Sequence, residues 1–401
     1  MSSVLINHAA VIGLESVLVD HSVYLEKGLI KKIAPSAEMT SQSADKVVDA
    51  GGDYLAPGFI DLHFHGIHNY LMDDGPDHFE AITHIVPQYG VTGLLPCICP
   101  RPKGEDAAFT STLAKVTSAG CHVFGFHFEG PFLTITGALP KEALGGYDRD
   151  RVAALIEAAK PYNSVFSISP DFERITELLP AMTANNMPAF ITHTQASVDE
   201  TLAAFKAGAS HATHFYDVFP IPDEYEPGAR SCGAVEAILA DPNISVDFIL
   251  DGEHVHPIAV KMALQCKGPD RVCLITDSNV GAGLPPGRHN FMGNEVEFKF
   301  QGGPARMTEN SRYPGCLAGS GLTMDMAVRN AIKMLDVDLP LAVRMASANP
   351  AKVLRLDHKK GQIKKGFDAD LVMLDKALQV QQTWVSGKSV YNKNKINGVQ
   401  L

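Results

Sequence analysis

PAFITHTQASVDETLAAFKAGASHATHFYDV, residues 188–218, decides the fold. An apolar run, PAFITHTQ, ends in polar residues; a stretch of helical period, DETLAAFKAGAS, follows; a second apolar run, HATHFYDV, again ends polar. Strand, amphipathic helix and strand in that order are a βα unit and the start of the next.

The same pattern continues in both directions. FIDLHFH (59–65), TGLLPCIC (92–99), VFGFHFEG (123–130) and SVFSISPD (164–171) precede it, and SVDFILDGEHVH (245–256) and VCLITDSN (272–279) follow. Helical stretches stand between them, among them 106–120, 149–160, 173–186 and 257–268. Eight such strands predict a closed (β/α)8 barrel over residues 56–355. The competing doubly wound open sheet would carry a GxGxxG loop after its first strand, and that motif is absent.

Outside the barrel the style changes. Residues 1–55 read as short alternating strands without helical period, and GQIKKGFDADLVMLD and LQVQQTWVSGKSVYN near the other end return to it. Residues 1–55 and 356–401 are therefore expected to form one β domain together.

Composition narrows the function classes. Hydrophobic residues make up 45% and charged residues 20% of the 401, and no run approaches the roughly 20 apolar residues of a membrane helix, which predicts a soluble protein. MSSVLINHAAVIGLES lacks the pattern of a secretory leader, so the cytoplasm is expected. Seven scattered cysteines suit neither a zinc ribbon nor a disulfide framework and are read as reduced and buried. A net charge of -11 without clustered Lys or Arg argues against nucleic acid.

In a (β/α)8 barrel the active site lies at the C-terminal ends of the strands. Those ends supply His63, His65, His127, Glu129, His193, His211, His214, Asp251, His254, His256 and Asp277. His63 and His65 are two apart, so on a strand they share a face and can grip one cation. Several such groups pointing into one mouth would repel or stay desolvated unless a cation held them, and nitrogen with oxygen donors favours zinc or another first-row divalent ion. Asp277 ends the last strand and is the acid–base candidate. His127, His211 and His256 are read as structural, and the glycine-rich segments 281–287 and 317–324 as ordinary loops.

APGFIDLHFHG, HFEGPFL, ATHFYDVFP, LDGEHVHP, LITDSNVGAG, LAGSGLTMDMAVRN and ASANPAKVLRL, in this order, resemble N-acetylglucosamine-6-phosphate deacetylases of the amidohydrolase superfamily. The resemblance implies that Glu129 is a metal ligand where many other amidohydrolases use a carboxylated lysine. It implies that His193 and His214 join Glu129 around one metal, and that His63 and His65 complete a second site bridged through Glu129. It further implies Asp277 as acid, base and metal contact, a β-sandwich domain built from both chain ends, and a homodimer.

The sugar contacts depart from the family pattern. Leu139 stands where the family has a histidine that contacts the acetyl group, and Tyr225 where it has a phosphate-contacting arginine, with Arg230 nearby. His254 falls on a phosphate-contacting histidine, and Asp217 replaces an asparagine. The expected activity is hydrolysis of an N-acetyl amino sugar or its 6-phosphate. The competing readings are another amidohydrolase reaction, on a cyclic amide or by deamination, and a non-catalytic relative that keeps the barrel for binding.

Overall fold

The computed structural model describes residues 3–223, 226–311 and 313–396. Eight parallel strands among them make the barrel: β1 (Phe59–Phe64), β2 (Val91–Ile98), β3 (Phe126–Phe132), β4 (Ser164–Ile168), β5 (Ala189–Ile191), β6 (Ala209–Ala212), β7 (Ser245–Ile249) and β8 (Val272–Ile275). Every residue of β2, β3, β4, β7 and β8 is buried, as expected of a parallel sheet covered on both faces. The barrel closes between β8 and β1, where the Asp277 N–H donates to the His63 carbonyl at 2.9 Å and the His65 N–H to the Ser278 carbonyl at 3.0 Å. Closure thus sets His63 of β1 and His65 just after it directly beside Asp277.

The outer ring comprises α1 (Pro76–Ile85), α2 (Glu105–Leu113), α3 (Arg149–Ala159), α4 (Ile175–Met182), α5 (Val198–Ala207), α6 (Ala234–Ala240), α7 (Pro257–Lys267) and α8 (Met324–Asn330). α2 is shorter than the 106–120 read from sequence. Its last turn carries Thr110, Ser111 and Thr112, whose hydroxyls donate back to the carbonyls of Asp106, Ala107 and Phe109 at 2.8, 3.0 and 2.7 Å, and such side chains compete with a continuing helix.

The eighth unit differs most from expectation. Between β8 and α8 stands a four-stranded antiparallel sheet, Gly287–Phe291, Asn294–Phe298, Pro304–Met307 and Leu317–Ser320. Segment 317–324, read as a loop, begins with its last strand. Ser320 donates its N–H to the Asp277 carbonyl at 2.7 Å and its hydroxyl to the Thr276 carbonyl at 2.6 Å, welding the insertion to the end of β8.

Both chain ends share one eight-stranded sheet. Its path runs 388–392, 380–385, 371–374, 54–57, 4–12, 17–26 and 29–35, with 46–49 also paired to 4–12. Leu25 and Ile30 from one end of this path share a buried cluster with Leu371 and Trp384 from the other, so the sheet folds back on itself in the manner of a sandwich. Cys97, Cys99, Cys121 and Cys273 are free and buried as expected, whereas Cys232, Cys266 and Cys316 are exposed. That correction follows from their positions: 266 lies late in an outer helix and 232 and 316 in connections, where chain runs along the surface.

Candidate active site

Six residues collected from five strand ends converge at the C-terminal mouth. His63, His65, Glu129, His193, His214 and Asp277 are all buried. Glu129 stands at the centre and divides its carboxylate between two groups. Oε1 lies 3.3 Å from His193 Nε2 and 3.0 Å from His214 Nε2. Oε2 lies 3.6 Å from His63 Nε2 and 3.2 Å from His65 Nε2, and the same two nitrogens lie 3.6 and 3.4 Å from Asp277 Oδ1.

The hydrogen count of this cluster fits a cation. His193 Nδ1 is 3.0 Å from the Ile135 carbonyl, which can only accept, so Nδ1 carries a hydrogen and the opposite nitrogen, Nε2, faces the Glu129 carboxylate. In a neutral ring these are two acceptors facing each other, which need a proton or a cation between them. His63 Nε2 and His65 Nε2 face each other at 3.3 Å, where one hydrogen at most fits. One ligand atom from each of His63, Glu129 and His214 falls within 4.8 Å of the other two.

Electrostatics agree. Burial lowers the pKa of His65, but its hydrogen bond to Glu129 and that residue's charge outweigh burial and raise it to about 9; the same balance carries His214 to about 10. Burial opposes the charge on Glu129, yet His63 and the hydrogen bonds from His193 and His214 hold its carboxyl well below the usual range. The site is built for a carboxylate among positive charge.

The backbone at this mouth is strained. His193, His214 and Asp277 have φ of 48°, 33° and 44°, a region that side chains other than glycine enter at a cost of about 1–3 kcal/mol each. Neighbours hold them there: the Ser169 hydroxyl donates to the His193 carbonyl at 2.7 Å, and the His214 N–H donates to Asp247 Oδ1 at 2.5 Å.

Asp247 belongs to a buried network absent from the sequence reading. Its Oδ2 is 2.8 Å from His211 Nε2, and His211 Nδ1 is 2.8 Å from Ser245 Oγ. The one available signal was a carboxylate inside the otherwise apolar SVDFI, on a strand beside another with a lone histidine. His211 is therefore structural, as expected, but it acts on His214 through Asp247. Thr213, 3.0 Å from His63 Nδ1, was also missed. His127 sits behind the site, with Nε2 2.7 Å from Ser167 Oγ, and His256 caps α7 by accepting the Ile258 N–H.

A cavity of about 230 Å³ opens above the cluster. Leu139 and Asp217 line it, joined from the insertion by Phe291, Leu317 and Gly319. His254 points its Nδ1 at Asp251 Oδ2, 2.7 Å away, while its buried Nε2 has no partner among the described residues. Burial lowers the pKa of His254, but its hydrogen bond to Asp251 and that carboxylate's charge outweigh burial and raise it, aided by the charges of Asp217 and Asp277. Arg230 does not join the cavity: its exposed guanidinium pairs with Glu236 at 2.6 Å, a nearer carboxylate than any in the cavity wall. Tyr225 lies outside the described residues.

Comparison with known proteins gives a consistent set of relatives. The profile of the amidohydrolase family matches residues 181–390. N-acetylgalactosamine-6-phosphate deacetylase of Escherichia coli O157:H7 is 32% identical over 380 residues, covering 93% of this chain and 96% of the relative. N-acetylglucosamine-6-phosphate deacetylase of Homo sapiens is 29% identical, covering 87% of this chain and 86% of the relative. Among solved structures, a mutant N-acetyl-D-glucosamine-6-phosphate deacetylase of Mycobacterium smegmatis in complex with N-acetyl-D-glucosamine-6-phosphate superposes with a TM-score of 0.85 at 26% identity, covering 98% of this chain and 100% of the other.

Proposed function

The chain belongs to the amidohydrolase family and is a hydrolase of amide C–N bonds, and from that premise we propose that it removes the acetyl group from an N-acetylated amino sugar 6-phosphate. The observation that carries this reading is the division of Glu129, one oxygen to His193 and His214, the other to His63 and His65 beside Asp277. His193, His214 and Glu129 would hold one divalent cation. His63, His65, Glu129 and Asp277 would hold a second. Bound there, such an ion supplies Lewis acidity that polarises the amide carbonyl and acidifies the attacking water.

The rest falls to the chain. Asp277 accepts a proton from water as the oxygen adds to the acetyl carbon, then returns it to the nitrogen as the C–N bond breaks, releasing acetate and the amine. The unpaired Nε2 of buried His254 is the hydrogen-bond donor proposed for the phosphate. Leu139 offers the acetyl group an apolar wall in place of a hydrogen bond, and Asp217 accepts from a sugar hydroxyl. Arg230 has no part in this proposal.

Zinc suits the donor set, within the first-row divalent ions. The proposed division keeps the chemistry in residues 56–355, with 1–55 and 356–401 as the second domain. A homodimer is what the family resemblance implies, and Ile258 and Met262, exposed one turn apart on α7, offer it an apolar surface; the cytoplasmic location is proposed from the N-terminal sequence pattern.

The test pairs metal analysis of the purified protein with acetate release from N-acetylglucosamine, N-acetylgalactosamine and their 6-phosphates. Turnover confined to the phosphates supports the reading. Bound metal with turnover only of other N-acyl compounds would remove the sugar and leave the hydrolase.

A further inference from the structure

The His63–His65 half of the site has a sulfur beside it. Cys97 is the penultimate residue of β2, and its Sγ and one ring nitrogen from each of His63 and His65 all lie within 4.8 Å of one another, all three residues being buried. Donors around a four-coordinate zinc, at bond lengths of 2.0–2.3 Å, stand roughly 3 to 4 Å apart. The three atoms therefore need to close by about 1 Å at most to share one ion.

The hydrogen bonds around the sulfur show how it is presented. His127 Nδ1 is 3.3 Å from the Leu62 carbonyl and 3.1 Å from Cys97 Sγ, while its Nε2 is 2.7 Å from Ser167 Oγ. Because the carbonyl can only accept, Nδ1 carries the hydrogen and the Ser167 hydroxyl donates to Nε2. The sulfur thus faces an N–H donor. Burial and the charges of Glu129, Asp277 and Asp61 push the Cys97 thiol well above its ordinary range, so the sulfur keeps its proton until a cation displaces it.

We infer that Cys97 is a thiolate ligand of the cation held by His63 and His65, which makes this half a nitrogen, sulfur and carboxylate site selective for zinc, cadmium, cobalt(II) or iron(II) over magnesium. Soft sulfur sets that preference. Binding releases the thiol proton to solvent and forms one metal–sulfur bond; nothing is oxidised. The inference rests on the proposed reading that a cation occupies this half. Cys99 is the rival sulfur: its Sγ is 3.5 Å from His65 Nδ1, on the far edge of that ring, and it groups with Asp73 instead of His63.

X-ray absorption at the zinc edge tests this on the unaltered protein loaded with two ions per chain. One sulfur scatterer per two zincs, at about 2.3 Å, is expected. In the cobalt(II) form a thiolate-to-cobalt charge-transfer band should appear, vanish in Cys97→Ser and persist in Cys99→Ser, with circular dichroism confirming that each variant is folded. Two ions bound by nitrogen and oxygen alone would overturn the inference and leave the cation reading standing, as would a band lost only in Cys99→Ser overturn the choice of Cys97. A protein that binds no divalent ion overturns both.

Discussion

At the scale of single residues, Asp277 and Gly319 form one working unit. Gly319 has φ of 69°, and a Cβ there would stand 2.6 Å from the Asp277 carbonyl oxygen and 3.4 Å from its Oδ1. Gly319→Ala must therefore shift the Asp277 backbone, and its carboxylate moves with it. A displacement near 1 Å costs on the order of 10²-fold in rate, so kcat should fall by that order while circular dichroism stays native. Asp277→Asn removes the proton acceptor while keeping the shape, and steady-state kinetics should show kcat down by roughly 10²- to 10⁴-fold, with the ion at His193, His214 and Glu129 retained on metal analysis. His63, His65, Glu129, His193, His214 and Asp277 were all legible, because each is a polar residue ending an apolar run. Cys97 was not: a cysteine within LLPCICP carries no pattern that separates a ligand from a core residue.

At the scale of elements, β6 and β7 cooperate to aim one histidine. The His214 N–H rests on Asp247 Oδ1 at 2.5 Å, and Asp247 is held by His211, which is held by Ser245. Asp247→Asn keeps the volume but turns one acceptor into a donor, against either the His214 N–H or the His211 ring. Losing such an outer contact commonly costs 10- to 100-fold in metal affinity, and competition with a chromophoric chelator should report a loss in that range. An unchanged affinity would mean that strand geometry alone aims His214. The alternation of apolar strands and amphipathic helices made the barrel readable, since each element repeats one period. The four-stranded insertion escaped because its strands are short and partly exposed, and Gly, Pro and Asn stand among them as they would in a loop.

At the scale of the whole molecule, one carboxylate ties the terminal sheet to the barrel. Asp370 accepts from Lys360 Nζ at 2.6 Å and from the Ser386 N–H at 2.8 Å, and lies 3.1 Å from His122 Nε2, a residue beside β2. Burial raises its pKa, but His122 and Lys360 outweigh that and bring it from 3.8 to about 2. A carboxylate whose folded pKa is depressed stabilises the fold above its unfolded pKa and loses that contribution as pH falls through the folded value. The contribution is therefore whole at neutral pH, declines from about pH 4 and is gone near pH 2; a shift of this size is worth about 2 kcal/mol. Asp370→Asn should lower unfolding free energy by about that amount at pH 7, and urea titrations at successively lower pH should bring variant and parent together by pH 2. A gap that stays constant with pH would assign Asp370 a packing role and leave the joint between barrel and terminal sheet to its backbone pairs, such as the Gly58 N–H on the Asp370 carbonyl at 2.9 Å.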